Sequence, residues 1–343
     1  MNLQTLYLKT KKHIEAIDFS LLWKDFKPLK FALYNDSECF FDGEYIEKSE
    51  EFLANTSILF QGEYIAIWKV DNELDDVVLT SKIVHEMFHA FQQINCDSRF
   101  PNELEALSKY RYMADNLSIK LEENILIAKL IGHFDRNEFE NLLALRKYRM
   151  LHYEYEFLYE AAVEQIEGTA NYVELGVLKQ LSKEKFENTL SVILNRIQNP
   201  VSLIPVRIIS YSIGALFFYI LKENSIADFE YFSTQPTAIS TLDNKLSYRG
   251  TPIVSSKIQA AVDAYNQETN EIITNALTSG YCEDVGEFDL LGVNIYNARY
   301  RNRYIVSTFF VMYGIKENPK VLSGDFVIEL NEFGKATRII RIK

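Results

Sequence analysis

Two histidines four residues apart, His85 and His89, with Glu86 between them, are the residues of this chain best suited to chemistry. On a helix, positions i and i+4 lie one above the other, so two imidazoles can meet one tetrahedral zinc ion. Glu86 lies one position round, at the edge of that face, where a carboxylate can take a proton from a water held at the metal. The arrangement is His-Glu-x-x-His, within Val-His-Glu-Met-Phe-His-Ala-Phe-Gln at 84–92. Ile83, Met87 and Phe91 form one apolar row and Val84 and Phe88 a second, leaving His85, His89 and Gln92 on the remaining face. Such a helix is largely buried, and its polar face then needs a partner inside the protein. Thr80 or Ser81 is the expected N-terminal cap.

A zinc site with two histidines needs a further protein ligand. Glu160, Glu164, Glu167, Asn171 and Glu174 recur at intervals of four, three, four and three, beside an apolar stripe of Val163, Ile166, Ala170, Val173 and Val177. Carboxylates stacked on one helix face repel one another, so they either face solvent or meet positive charge. Glu167 is the first candidate for the third ligand. Gly168 beside it permits close helix approach, and Asn171 one turn on is placed to hydrogen-bond a ligand histidine. Glu164 is the alternative ligand or a neighbour of the site.

Hydrolysis at zinc also needs a donor aimed at the developing oxyanion. The segment from Pro205 to Phe218 reads as a buried helix on which Arg207, Tyr211, Gly214 and Phe218 share a face. Tyr211 and Arg207 are the candidate donors, with Tyr248 in a later turn-rich stretch as a further one. Arg207 has a competing use, since pairing with Glu160 or Glu164 would relieve the acidic stripe.

The elements that must position these groups follow in order. Phe31 to Tyr34 and Cys39 to Phe41 flank a turn at Asn35 to Ser37, and Ser57 to Phe60 and Tyr64 to Val70 flank Gln61-Gly62-Glu63, so residues 1–77 are expected as an antiparallel β region lining the cleft. Long helical segments follow from about 103 to 131, broken at Gly132-His133, then from about 136 towards 182. A helix is expected from Ser255 to about Leu277. Tyr304 to Tyr313, Gly324 to Leu330 and Thr337 to Ile342 read as strands, the last two joined by a hairpin at Asn331 to Gly334. These make residues 281–343 a β-rich region, either separate or completing the N-terminal sheet. His133 and His152 lie outside any short ligand spacing.

Composition limits the function classes. With 48% hydrophobic and 24% charged residues among 343, the chain is globular. A formal charge of −12 without a block of Lys and Arg argues against a nucleic-acid surface. No apolar run is long enough for membrane insertion, and the N-terminus lacks a signal-peptide pattern. Three scattered Cys do not form a disulfide framework. A cytoplasmic location is expected.

His85-Glu86-Met87-Phe88-His89, taken with Glu167-Gly168-Thr169-Ala170-Asn171-Tyr172, resembles the gluzincin class of zinc metallopeptidases, which includes thermolysin-like and aminopeptidase-N-like enzymes. The resemblance implies an α+β fold with a mainly helical zincin-like catalytic core at 78–280, an N-terminal antiparallel sheet and a small C-terminal β-rich region. It implies one Zn2+ ion held by His85, His89 and Glu167, with Glu86 as general base and a peptide or protein as substrate. The chain departs from those subfamilies in two ways. The ligands His89 and Glu167 are 78 positions apart, so helices at about 103–155 look like an insertion, and Asn171 stands where the thermolysin-like pattern has an acid. Two other readings keep the same residues: a non-catalytic zinc-bound domain that binds a protein or senses metal, and a metal-free scaffold in which the histidines bond the acidic stripe directly.

Overall fold

The computed structural model describes residues 2–71, 75–242, 246–248, 250 and 252–342. About half of the chain is helical and a fifth is strand, in two separate sheets, so the class is α+β. Helix α1 (Leu3–Glu15) is capped by Asn2, whose side chain accepts from the Thr5 N–H. Strands β1 (Phe31–Tyr34), β2 (Glu38–Phe41) and β3 (Glu44–Glu47) form a meander, and β4 (Thr56–Phe60) and β5 (Glu63–Lys69) form a hairpin. Gln61 and Gly62, both at positive φ, make the tight turn of that hairpin.

This sheet has the order β3-β2-β1-β5-β4 and is mixed, not antiparallel as expected, because β5 runs parallel to β1 with Phe31 opposite Ala66 and Tyr34 opposite Lys69. Local alternation reveals each hairpin, but the way two hairpins join depends on the crossover between them. Strand β1 is buried on both faces. Phe31 and Leu33 enter the main core with the helices, while Ala32 and Tyr34 enter a smaller core with Phe52, Phe60, Ile65 and Ile67. Packing is therefore continuous across the boundary expected near residue 77.

Helix α2 (Asp76–Ile94) carries the two histidines. The expected single helix over 103–131 is two, α3 (Glu103–Lys109) and α4 (Ala114–Gly132). The break follows from tertiary bonds, since the Tyr110 hydroxyl donates to Glu160 at 2.6 Å and the Arg111 N–H donates to Glu156 at 3.2 Å. Next come α5 (Arg136–His152), α6 (Glu154–Val163), a π-turn (Glu164–Gly168) and α7 (Thr169–Leu181). Leu117, Ile127, Leu130, Phe139 and Leu142 of α4 and α5 lie in the same core as Val84 and Phe88, so the segment that looks like an insertion is built into the main core. Helices α8 (Lys183–Ile197), α9 (Val206–Glu223), α10 (Thr237–Ser240) and α11 (Ser256–Ser279) complete the helical part.

The C-terminal region forms its own sheet from β6 (Tyr281–Val293), β7 (Arg299–Arg301), β8 (Tyr304–Ser307), β9 (Phe310–Ile315), β10 (Asn318–Ser323), β11 (Phe326–Leu330) and β12 (Ala336–Arg341). Its order is β10-β9-β6-β12-β11-β8-β7, so it does not complete the N-terminal sheet. The strand expected over 304–313 is interrupted at Phe309, whose φ is +70°. One side of the sheet packs on Ile273 and Ala276 of α11, and the other core includes Leu104 and Leu107 of α3. Among the described residues, no helix is long and apolar enough to cross a membrane.

Candidate metal centre

Helix α2 starts earlier than expected. Asp75 is its cap, accepting from the Val77 and Val78 N–H groups at 3.0 and 3.2 Å. Thr80 and Ser81 lie inside the helix and return their hydroxyls to the carbonyls of Asp76 and Val78. Leu79, Ile83, Val84, Met87 and Phe88 are buried, which pins the opposite face inward. There, the Nε2 atoms of His85 and His89 approach to 3.1 Å.

The third group comes from the turn between α6 and α7. Glu167 Oε2 lies 3.2 Å from His89 Nε2. The extra residue per turn of a π-turn re-aims the side chains that follow it. Here the turn sits against α9, where Gly168 and Gly214 meet so closely that a Cβ on either would lie under 3 Å from the other's Cα. Gly168 thus permits the approach anticipated for it. Ligand atoms of His85, His89 and Glu167 all lie within 4.8 Å of one another. In a tetrahedral zinc site with bonds of about 2.0–2.2 Å, ligand atoms are separated by about 3.3–3.6 Å, so the 3.1 and 3.2 Å edges need a small expansion and the remaining His85–Glu167 edge, within 4.8 Å, a contraction onto the ion.

The hydrogen bonds behind the rings set the tautomers. Gln92 Nε2 donates to the Ile166 carbonyl at 2.9 Å and to Thr169 Oγ1 at 3.0 Å. Its Oε1 must then be the acceptor facing His89 Nδ1 at 2.8 Å, which places a proton on Nδ1. His85 Nδ1 lies 3.3 Å from Glu174 Oε2, a polar contact out of line for a full hydrogen bond. Glu174 stays ionised, because His85 and Lys82 outweigh the burial that raises its carboxyl. A carboxylate there favours a proton on Nδ1 as well. Both Nε2 atoms consequently face each other and the Glu167 carboxylate. Three acceptor atoms converging in a buried site require positive charge between them. A proton on His89 neutralises one contact, whereas a divalent cation satisfies all three, so the donor set fits zinc.

The electrostatics of the pair agree with that demand. Burial lowers the His89 imidazole, but Glu167 outweighs it and holds the group at about 9. Burial raises the Glu167 carboxyl, but His89 and then Arg207 bring it down to about 2. Glu86 behaves oppositely. Burial pushes its carboxyl above the usual range, and Glu167 and Glu174 add to the push, against His85 and His89.

The other expected residues divide. Arg207 reaches the site, but its Nη2 donates to Glu167 Oε1 at 3.0 Å and its Nε to Glu103 at 2.9 Å. It therefore pairs with neither Glu160 nor Glu164. Tyr211 lies beside it, with the ring 4.9 Å from the guanidinium. Glu164 turns away from the histidines and accepts from Arg146 at 2.9 Å. Glu160 accepts from Lys120 and Arg149, both at 2.6 Å. With Glu123, these form a fully buried cluster of three acids and three bases, which is where the upper half of the acidic stripe goes. Asn171 lines a pocket with Lys82, Glu174 and Ser212, and the group that faces His85 is Glu174, one turn further on. Tyr248 packs on Tyr148 of α5, whose ring lies against that of His152.

Three residues of the site carried no assigned role in the sequence. Gln92 shared the histidine face and Glu174 continued the carboxylate stripe, so their spacing was a usable signal. Tyr296 had none: it comes from the loop between β6 and β7, and its hydroxyl lies 3.5 Å from that of Tyr211. Comparison with known proteins adds no relative, as no family model, curated protein or solved structure matches this chain.

Proposed function

We propose that this chain is a zinc-dependent hydrolase that cleaves peptide bonds, with His85, His89 and Glu167 holding one zinc ion. The observation that carries the reading is the convergence of two Nε2 atoms and one carboxylate oxygen, with a further buried carboxyl, Glu86, within electrostatic reach of all three groups and outside the set. Zinc in such a site polarises a carbonyl and lowers the pKa of water. Glu86 is suited to the proton transfers. Its carboxylate would accept a proton from the attacking water and give it to the leaving nitrogen. Tyr211 and Arg207 both remain oxyanion donors in this reading: the Tyr211 hydroxyl lies 3.5 Å from that of Tyr296, and Arg207 Nη1 is buried with no hydrogen-bond partner among the described residues. Gln92 holds His89 in the tautomer that presents Nε2, and the Glu174 carboxylate beside His85 Nδ1 favours the same tautomer there.

The test pairs metal content with digestion of a mixed peptide pool. Glu86→Gln should keep stoichiometric zinc and lose hydrolysis by about 10²–10⁴-fold. Glu167→Ala should lose zinc. Stoichiometric zinc without hydrolysis in the native sequence would favour a non-catalytic, partner-binding or metal-sensing domain, and no zinc at all would leave the metal-free scaffold.

A further inference from the structure

Arg207 joins three parts of the molecule. It bonds Glu103 of α3 and Glu167 of the π-turn, and its guanidinium lies over two aromatic rings, that of Tyr211 of α9 at 4.9 Å and that of Tyr296 of the C-terminal region at 5.1 Å. A planar cation bonded to two carboxylates and contacted by two rings keeps its plane, and with it the direction of its N–H groups. The two oxygens of Glu167 are divided: Oε1 accepts from Arg207, and Oε2 faces His89. Tyr296 is itself held by a closed loop. Its N–H donates to Asn294 Oδ1, the Asn294 carbonyl accepts from the Asn297 and Ala298 N–H groups, and Asn294 is tied to Ser307 and Thr308 at the end of β8.

We propose that Arg207 is the positioning residue that leaves Glu167 one oxygen for the metal, and that Tyr296 is the C-terminal region's clamp on it. The inference rests on the metal reading above. Its consequence is linkage. If the clamp orders Glu167 for the metal, bound metal orders the clamp by the same factor, so metal binding and docking of the 294–298 loop are one equilibrium. The C-terminal β region then belongs to the metal centre although it contributes no ligand.

The experiment uses the full chain and titrates Zn2+ against a chromophoric chelator, with hydrogen exchange at 294–298 followed with and without zinc. Tyr296→Ala is expected to weaken zinc binding about 10–100-fold, the range for groups that support a ligand from behind, and Arg207→Met at least as much. Tyr296→Phe keeps the ring and should stay within about threefold of the native affinity. Zinc should slow exchange at 294–298 in the native chain and not in Arg207→Met. Native affinity in Tyr296→Ala, a loss in Tyr296→Phe equal to that in Tyr296→Ala, or exchange at 294–298 indifferent to zinc in the native chain would each overturn the clamp. The last of these stands even if a variant fails to fold. A native chain that takes up no zinc refutes the metal reading itself, whereas zinc held through His85 and unaffected by Tyr296→Ala refutes only the clamp.

Discussion

Gly168→Ala tests the packing on which the third ligand depends. The added methyl would lie 2.6 Å from Gly214 Cα, 2.9 Å from Gly214 C and 3.1 Å from Ala215 N. Carbon atoms in contact rest about 3.5–4.0 Å apart, so α9 must withdraw from the π-turn by about 1 Å. None of these atoms belongs to a side chain that can rotate away. Overpacking of this kind costs about 1–3 kcal/mol, and backbone against backbone puts it near the upper end. The better helix propensity of Ala returns about 1 kcal/mol, leaving a net loss of about 1–2 kcal/mol and a fall in Tm of about 1–3 °C for a chain this long. The same withdrawal carries Arg207, two turns before Gly214, away from Glu167, so zinc binding should weaken about tenfold. Calorimetry and a zinc titration read the two effects separately. Gly132→Ala is the control: a Cβ there meets nothing within 4 Å, and stability should hold or rise slightly. Native Tm and native zinc affinity in Gly168→Ala would refute the argument that close helix approach sets the position of Glu167.

The remaining expectations concern the groups behind the site. Glu174→Gln should loosen zinc about 10–100-fold by removing the carboxylate that faces His85, while Asn171→Ala should leave it unchanged; a zinc titration of both decides which residue supports the ring. Arg149→Met strips a fully buried cation from Glu160 and Glu123 and should cost about 3–5 kcal/mol in denaturant unfolding, with a loss under 1 kcal/mol arguing against a buried, paired cluster. Acid stability follows from Glu160 and, with the same sign, from Glu167 in the metal-free chain. Burial raises the Glu160 carboxyl, but Arg149 and Lys120 outweigh it and hold it at about 2. A depressed carboxyl contributes stability that is complete above its unfolded value of about 4.3 and is lost as pH falls through the folded value. Tm should therefore drop steeply between about pH 4 and pH 2. The opposite shift of Glu123, raised by burial, has the opposite sign and favours the fold as pH falls, so it makes no acid limb, and a Tm that stays flat between about pH 4 and pH 2 would contradict the Glu160 assignment.

The part of the candidate site legible in the sequence is the part governed by helical periodicity. His85, Glu86 and His89 share a short local spacing, and Glu167 lies in a stripe whose period places it on one face. Both hairpins of the N-terminal region and the helix at 206–223 were legible for the same reason: each is defined by residues within one or two turns of each other. Tertiary structure decided the rest, because identical spacing does not distinguish where a side chain points once helices pack. Glu160, Glu164, Glu167 and Glu174 read alike along the chain, yet the first two face buried Arg and Lys while the last two face the histidines. The π-turn at 164–168 accompanies that change of partners, and a uniform period does not encode it. Asn171 and Glu174 differ by one turn, and only the packing of α7 on α2 decides which meets His85. Tyr296 is the extreme case. It lies 211 positions from His85 in sequence, on a loop whose local pattern indicates nothing but a turn, and it reaches Arg207 solely because the C-terminal sheet packs where α3 and α11 hold it.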